Sequence, residues 1–167
     1  LGGHASLVRA MPNTPALIGR GVTGMYAHES VSAENRRHAE TVLNAVGSSV
    51  WVEQEDLIDA VTALSGSGPA YVFYFIEALQ AGGEALGLSP ENSRKLAIET
   101  LAGASALAAQ STEAPAVLRE RVTSKGGTTE AALQSLAADE FPAVVARALQ
   151  AAAKRGRELG EILGQAR

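Results

Sequence analysis

Residues 65–71 have the sequence Ser-Gly-Ser-Gly-Pro-Ala-Tyr, a glycine-rich turn that opens a helix. Proline is favoured at a first helical position, because it has no N–H to leave unpaired and its φ angle is already helical. The apolar run that follows, residues 70–88, is interrupted by Glu77, Gln80 and Glu84. These polar residues argue against a membrane span and predict a buried core helix.

Toward the C terminus, the pattern of apolar residues, prolines and glycines predicts a series of helices. The predicted helices cover residues 55–64, 69–87, 90–110, 114–122, 128–138 and 141–163. Gly87 is expected to close one helix and Ser89 to cap the next. Small residues such as Gly82 and Gly83 permit close helix packing. The pattern leaves open a tightly packed monomeric bundle and an interlocked dimer.

Toward the N terminus, the sequence predicts mixed α/β secondary structure. Strands are predicted at residues 7–11, 22–27 and 49–52, with a helix that is capped by Ser32 and runs to about Val46. Three short strands and one helix are too few for a sheet domain buried on both faces. The segment therefore resembles the end of an α/β domain whose beginning is absent.

The composition excludes several classes of protein. The 167 residues are 46% hydrophobic with a net charge of −4, so the basic excess expected of a nucleic-acid-binding protein is missing. There is no cysteine, and the three histidines are scattered, which argues against a metal site. No signal peptide is evident, and we expect a cytoplasmic protein without membrane or nucleic-acid partners.

Residues 124–130, Ser-Lys-Gly-Gly-Thr-Thr-Glu, are the first candidate for chemistry. A helix start has N–H groups without intrahelical partners and carries the positive end of the helix dipole. Two glycines let a ligand approach the backbone, so the segment suits a small anion such as a carboxylate. An ordinary helix that begins with glycine is the alternative for this segment.

Three further segments are candidates, each with a structural alternative. Residues 11–15, Met-Pro-Asn-Thr-Pro, follow a predicted strand, where ligands bind in open α/β sheets, but they also suit an ordinary turn. The turn at residues 65–71 could be a plain connector. The acidic residues Glu53, Glu55 and Asp56 could be a solvated first turn.

The order and spacing of these motifs resemble pyrroline-5-carboxylate reductase. The motifs are residues 11–15, residues 55–71 (Glu-Asp-Leu-Ile-Asp-Ala-Val-Thr-Ala-Leu followed by the turn) and residues 121–129 (Arg-Val-Thr-Ser-Lys-Gly-Gly-Thr-Thr). The resemblance runs from about Val8 to the end of the chain. It implies the last step of proline biosynthesis, in which NADPH or NADH reduces the cyclic imine 1-pyrroline-5-carboxylate to L-proline.

The resemblance also implies roles for residues. The substrate carboxylate would accept N–H groups of Gly127, Thr128 and Thr129, and the Thr129 hydroxyl would reach the ring nitrogen. Because a threonine hydroxyl is a poor acid, Thr129 would orient the substrate and relay a proton from water. The complete implied set is catalytic Thr129; substrate-binding Glu55, Ser124, Gly126, Gly127, Thr128 and Thr129; and cofactor-binding Met11, Pro12 and Asn13, with no metal ligand.

The fold implied by the resemblance is mainly α. Residues 1–54 would be the last strands and helix of a truncated Rossmann α/β domain. Residues 55–167 would form a helical dimerisation and substrate-binding domain, similar to the C-terminal bundle of 6-phosphogluconate dehydrogenase. Roughly the first hundred residues of a usual family member are missing, which is the size of a small domain. Residues 19–24 have the spacing Gly-x-Gly-x-x-Gly but open no helix, so we reject them as a phosphate loop.

Assembly and activity follow from the same resemblance. NADP or NAD would be bound mainly by the missing part, and the chain would form a homodimer or higher oligomer, with exchange of the unpaired strands as one form. The isolated chain is expected to be inactive. The alternatives are a non-catalytic dimerisation module and a related β-hydroxyacid dehydrogenase, whose catalytic lysine could only be Lys95 or Lys154.

Overall fold

A computed structural model of the chain describes residues 6–165, apart from the side chains of residues 163 and 165. The described residues form two compact units. One unit contains the residues up to Tyr71 and those from Ala146 onward, and the other is Val72–Val145. The sheet lies in the first unit, and the second unit is helical.

The sheet has three strands: β1 (Val8–Met11), β2 (Gly21–Ala27) and β3 (Gly47–Trp51). Central β2 pairs antiparallel with β1 and parallel with β3. Its Thr23 and Met25 are fully buried, which places the core of this unit along β2. All three predicted strands are confirmed, with ends that shift by up to two residues.

Helix α1 (Ala33–Asn44) connects β2 to β3. The Ser32 hydroxyl accepts the N–H of Asn35 at 3.2 Å, which is the predicted N-terminal cap. From α1, the guanidinium of Arg36 lies 5.4 Å from the ring centre of Trp51 on β3. This cation–π contact links the helix to the sheet edge.

The segment predicted as one helix over residues 55–64 forms two kinds of helix. An α-helical turn, α2 (Leu57–Val61), continues directly into a π-helical turn over Thr62–Gly66. A 3-10 helix at Thr14–Ile18 was not predicted at all. Gly19 closes it with a φ of 69°, a left-handed conformation that favours glycine. Residues 19–24 thus end a short helix and enter β2, and they open no helix.

The remaining predicted helices are confirmed. They are α3 (Gly68–Ala85), α4 (Pro90–Gln110), α5 (Pro115–Arg121), α6 (Thr128–Ala138) and α7 (Phe141–Gln165). The Ser89 hydroxyl caps α4 by accepting the N–H of Asn92 at 3.2 Å. Gly87 has a φ of 95° in the loop between α3 and α4, where the left-handed conformation requires glycine.

The helical unit buries few of its apolar side chains. Within Val72–Val145, all of which the structure describes, only Ser93 and Ala97 are buried. Phe73 and Tyr74 of α3 are 61% and 75% exposed. A single copy of this unit therefore leaves a large apolar surface in contact with water, which is unusual for a stable monomer.

Candidate functional site

The predicted anion-binding segment forms the start of α6. Gly127 is the residue before the first helical turn, with φ −86° and ψ 173°, and no side chain caps the helix at this position. Gly126 precedes it with a φ of 72°, so the first of the two glycines adopts a conformation that other residues rarely adopt. The backbone therefore bends immediately before α6, and the first N–H groups of the helix have no intrahelical acceptor.

Two N–H groups of this segment are used within the protein. The N–H of Gly126 donates to Oε2 of Glu130 at 2.6 Å, and the N–H of Gly127 donates to the carbonyl of Ser124 at 3.0 Å. Among residues 6–165, nothing accepts the N–H groups of Thr128 and Thr129, or bonds to their hydroxyls. The donors open to a ligand are therefore those of the two threonines.

Ser124 shapes this turn. A Cβ atom added to Gly127 would lie 2.5 Å from Oγ of Ser124 and 3.0 Å from its carbonyl oxygen. A side chain at position 127 would therefore force Ser124 to shift, and glycine accommodates the approach of Ser124 without that change. Ser124 thus packs against the helix start, and Gly127 allows this close approach, whereas its φ of −86° is one that other residues adopt.

A largely apolar cavity of about 550 Å³ lies beside α6 within the helical unit. It is lined by Arg119, Glu120, Thr123, Glu130, Leu133, Gln134, Leu136, Ala137, Phe141 and Pro142. Glu130 belongs to both this lining and the turn, because its carboxylate reaches back to Gly126. The cavity therefore adjoins the helix start, while the two threonines are not part of its wall.

The residues predicted to contact a cofactor form the turn after β1. Met11 is half-buried at the strand end, and Pro12 is exposed. Asn13 is half-buried, and its side chain bonds to the N–H of Val22 and the carbonyl of Ser65. The turn thus offers an exposed proline and a methionine, while much of the hydrogen-bonding capacity of Asn13 is satisfied internally.

Glu55 lies in the same unit as this turn and pairs with a residue that the sequence did not single out. Nη1 of Arg9 on β1 lies 3.2 Å from Oε1 of Glu55. The two side chains are 48% and 60% exposed, so the pair contributes little to stability. In this pair, the Glu55 carboxylate lies beside Arg9 of β1, the strand that ends at Met11.

The predicted site residues thus fall into two groups. Met11, Pro12, Asn13 and Glu55 lie in the unit with the sheet, and residues 124–129 lie in the helical unit. Within residues 6–165, no group of three acidic or histidine side chains could hold a metal ion; His4 lies outside the described residues. No helix over the same range is long and apolar enough to cross a membrane.

The helix pattern and the turn at α6 agree with a known family. The sequence profile described as "Pyrroline-5-carboxylate reductase dimerisation" matches residues 55–159. The chain belongs to the pyrroline-5-carboxylate reductase family. Its expected fold class, a helical dimerisation domain preceded by a partial Rossmann domain, is thereby confirmed.

Individual relatives agree with the family assignment. A pyrroline-5-carboxylate reductase from Pseudomonas aeruginosa is 50% identical over 99% of this chain and 60% of its own length. The structure of a pyrroline-5-carboxylate reductase from Coxiella burnetii superimposes with a TM-score of 0.92 at 44% identity, over 94% of this chain and 58% of that protein. A Plasmodium falciparum pyrroline carboxylate reductase, solved with NADP bound, superimposes with a TM-score of 0.84 at 33% identity. The match covers 93% of this chain and 59% of that protein. The chain spans about three fifths of these relatives.

Proposed function

We propose that the intact protein, meaning this chain together with a cofactor-binding part, reduces 1-pyrroline-5-carboxylate to L-proline. Membership of the reductase family supports the reaction. The observation that carries the site is the start of α6, where the N–H groups of Thr128 and Thr129 have no acceptor among residues 6–165. Such a helix start stabilises a small anion, and a carboxylate is one of the anions that it accepts.

The proposed mechanism begins with orientation of the substrate. Its carboxylate accepts the N–H groups of Thr128 and Thr129, while Gly126, Gly127 and Ser124 give the backbone its shape. The hydroxyl of Thr129 then hydrogen-bonds the ring nitrogen and relays a proton to it from water, because threonine itself is too weak an acid. Glu55 acts on the substrate through water. A bound nicotinamide supplies the hydride that adds to the imine carbon.

The residues present fit one end of such a cofactor. The turn after β1 presents an exposed Pro12 and a half-buried Met11, which suit contact with a flat ring. Residues 19–24 cannot hold a pyrophosphate, because they form the end of a 3-10 helix and the start of β2. We therefore propose that Met11, Pro12 and Asn13 lie at the nicotinamide end, and that a part outside this chain binds the rest of NADP or NAD.

We also propose a homodimer or a higher homo-oligomer. The family description names dimerisation, and the helical unit exposes apolar side chains such as Phe73 and Tyr74. The resemblance implies that the helical half, residues 55–167, supplies this interface and that residues 1–54 belong to the cofactor domain. Exchange of the strands of residues 1–54 between chains remains a prediction; among the described residues, these strands pair as one three-stranded sheet.

Thr129 variants test the proposed mechanism in the intact protein. Thr129→Val keeps the shape and removes the hydroxyl, so kcat with pyrroline-5-carboxylate should fall by roughly 10- to 100-fold. Thr129→Ser should retain most of the activity, and Thr100→Val, on the exposed surface of α4, should not change it. No NADPH- or NADH-dependent turnover in the unmodified protein would contradict the proposed function.

A second candidate function describes the 167-residue chain by itself. Because it spans about three fifths of its relatives and its described residues contain no phosphate loop, we propose that it assembles but does not reduce the imine. Purified 167-residue protein should show no NADPH consumption with pyrroline-5-carboxylate. Measurable turnover would contradict this proposal. Nothing among residues 6–165 favours a β-hydroxyacid dehydrogenase, since Lys95 and Lys154 are exposed and form no ion pair there.

A further inference from the structure

The Asn13 side chain takes the place of a strand partner where β1 ends. The β1–β2 register pairs Met11 with Gly24, so two more residues of pairing would bring Asn13 opposite Val22. Pro12 has no N–H and cannot donate to a strand ladder, and a 3-10 helix begins immediately after Asn13. Oδ1 of Asn13 instead accepts the N–H of Val22 at 2.9 Å.

The nitrogen of the Asn13 amide donates to the carbonyl of Ser65, which has no acceptor role in the helix. In an α-helix, the carbonyl of Ser65 would accept the N–H of Pro69, which has none. The local backbone forms a π turn in which Ser67 donates to Thr62, five residues earlier, at 2.8 Å. Nδ2 of Asn13 donates to the Ser65 carbonyl at 3.2 Å across 52 positions of sequence.

The Asn13 side chain makes these two bonds and does not cap the helix that follows it. It precedes the 3-10 helix with extended φ and ψ, where asparagine ordinarily caps a helix with its side chain, yet its side chain makes no capping bond. Beside it, Met11 packs against the same π turn: a Cβ added to Gly66 would lie 3.7 Å from Sδ of Met11. Residues 11–13 and 65–66 are thus joined by one hydrogen bond and one packing contact, and a second hydrogen bond joins Asn13 to Val22.

We propose that Asn13 is a positioning residue of the reductase, which ties the turn of Met11 and Pro12 to the π turn at Ser65. This inference rests on the proposed function, because the tie fixes the surface that would meet the nicotinamide. Contact with the ring then falls to Met11 and Pro12, while the Asn13 amide acts through them. The π turn is consistent with this role, since such turns are frequent at functional sites.

Two variants of Asn13 separate positioning from direct binding of the cofactor. Asn13→Asp keeps the acceptor for Val22 but removes the donor to Ser65, and Asn13→Ala removes both. We expect kcat to fall by roughly 10- to 100-fold in each, with KM for NADPH changing much less, because misplaced reacting groups cost rate more than affinity. Hydrogen exchange at the Val22 amide should be faster in Asn13→Ala and near wild type in Asn13→Asp.

Asn44→Asp is the matched control, because Oδ1 of Asn44 only accepts the hydroxyl of Ser49, at 2.7 Å, and aspartate can do the same. Unchanged kcat in both Asn13 variants would overturn the inference, as would a rise in KM for NADPH at constant kcat, which indicates direct binding. If Asn13→Ala does not fold, kcat and KM for NADPH in Asn13→Asp decide the question in the same way. Unmodified protein without turnover would contradict the proposed function, and this inference with it.

Discussion

At the scale of single residues, the candidate site depends on contacts that the sequence could only partly supply. The order Gly-Gly-Thr-Thr predicts a helix start with free N–H groups, and the structure has one at Thr128. The sequence could not show which N–H groups are already used, because that depends on how the turn folds. The structure shows that Glu130 and the Ser124 carbonyl accept two of them.

Glu130 should therefore control the shape of the turn. Its carboxylate resembles the reach-back half of a capping box, although it accepts the N–H of Gly126 and not that of Gly127. Glu130→Ala should destabilise the helical unit by about 1 kcal/mol and weaken substrate binding, because the turn loses this bond. Glu130→Gln keeps an acceptor oxygen and should lie between wild type and Glu130→Ala.

The measurements are thermal unfolding and KM for pyrroline-5-carboxylate in the intact protein. Glu120→Ala is the control, since Glu120 lines the same cavity and its side chain forms no hydrogen bond or ion pair within residues 6–165. Tighter substrate binding in Glu130→Ala would contradict the expected role. It would show that the carboxylate competes with the substrate rather than shaping its site.

At the scale of elements, the sequence predicts most helices and strands because their ends carry explicit signals. Ser32 and Ser89 cap helices as expected, since their hydroxyls accept N–H groups in the first turn. The π turn at Thr62–Gly66 and the 3-10 helix at Thr14–Ile18 were missed. Asn13 adjoins the 3-10 helix and bonds to Ser65 in the π turn across 52 positions, a contact that no local pattern of residues encodes.

The contact between α3 and α4 provides a matched pair of glycines. A Cβ at Gly83 would lie 2.9 Å from Oγ of Ser93, whereas a Cβ at Gly82 would meet nothing within 4 Å. Gly83→Ala should cost about 1–2 kcal/mol, because overpacking exceeds the gain of about 1 kcal/mol in helix propensity. Gly82→Ala should cost less or stabilise the protein.

Removing the Ser93 hydroxyl extends this test. Oγ of Ser93 is buried and has no partner among residues 6–165, so Ser93→Ala should be neutral or stabilising. In that background the cost of Gly83→Ala should fall, and chemical denaturation of the four proteins measures the coupling. A larger loss for Gly82→Ala than for Gly83→Ala would contradict the packing described for a single copy of the chain.

At the scale of the whole molecule, the open question from the sequence is whether the helical unit is a monomer or part of an assembly. Composition and periodicity predict helices rich in small and apolar residues, and by themselves they slightly favour a monomeric bundle over a dimer. The structure adds that Val72–Val145 buries only two residues, because its helices have too few partners within one chain. A second copy is the partner that the family description indicates.

Assembly should therefore respond to a charge on the exposed face of α3. The unmodified chain should be a dimer or larger by light scattering at micromolar concentration. Phe73→Asp should shift it toward monomer, because an aspartate buried in an apolar interface loses its hydration. Glu99→Gln, on the exposed surface of α4, is the control and should leave the mass unchanged. A monomeric unmodified chain would contradict the proposed assembly.

The central claim is that the start of α6 binds the carboxylate of a proline-like acid. Its most direct test is an NMR titration of the intact, isotope-labelled protein with L-proline, with pyrrolidine as the matched ligand that lacks the carboxylate. L-Proline should shift the amide signals of Thr128 and Thr129 more than that of Gly126, whose N–H bonds to Glu130. Pyrrolidine should leave all three unchanged. Saturable L-proline binding without a response at Thr128 and Thr129 would contradict the claim.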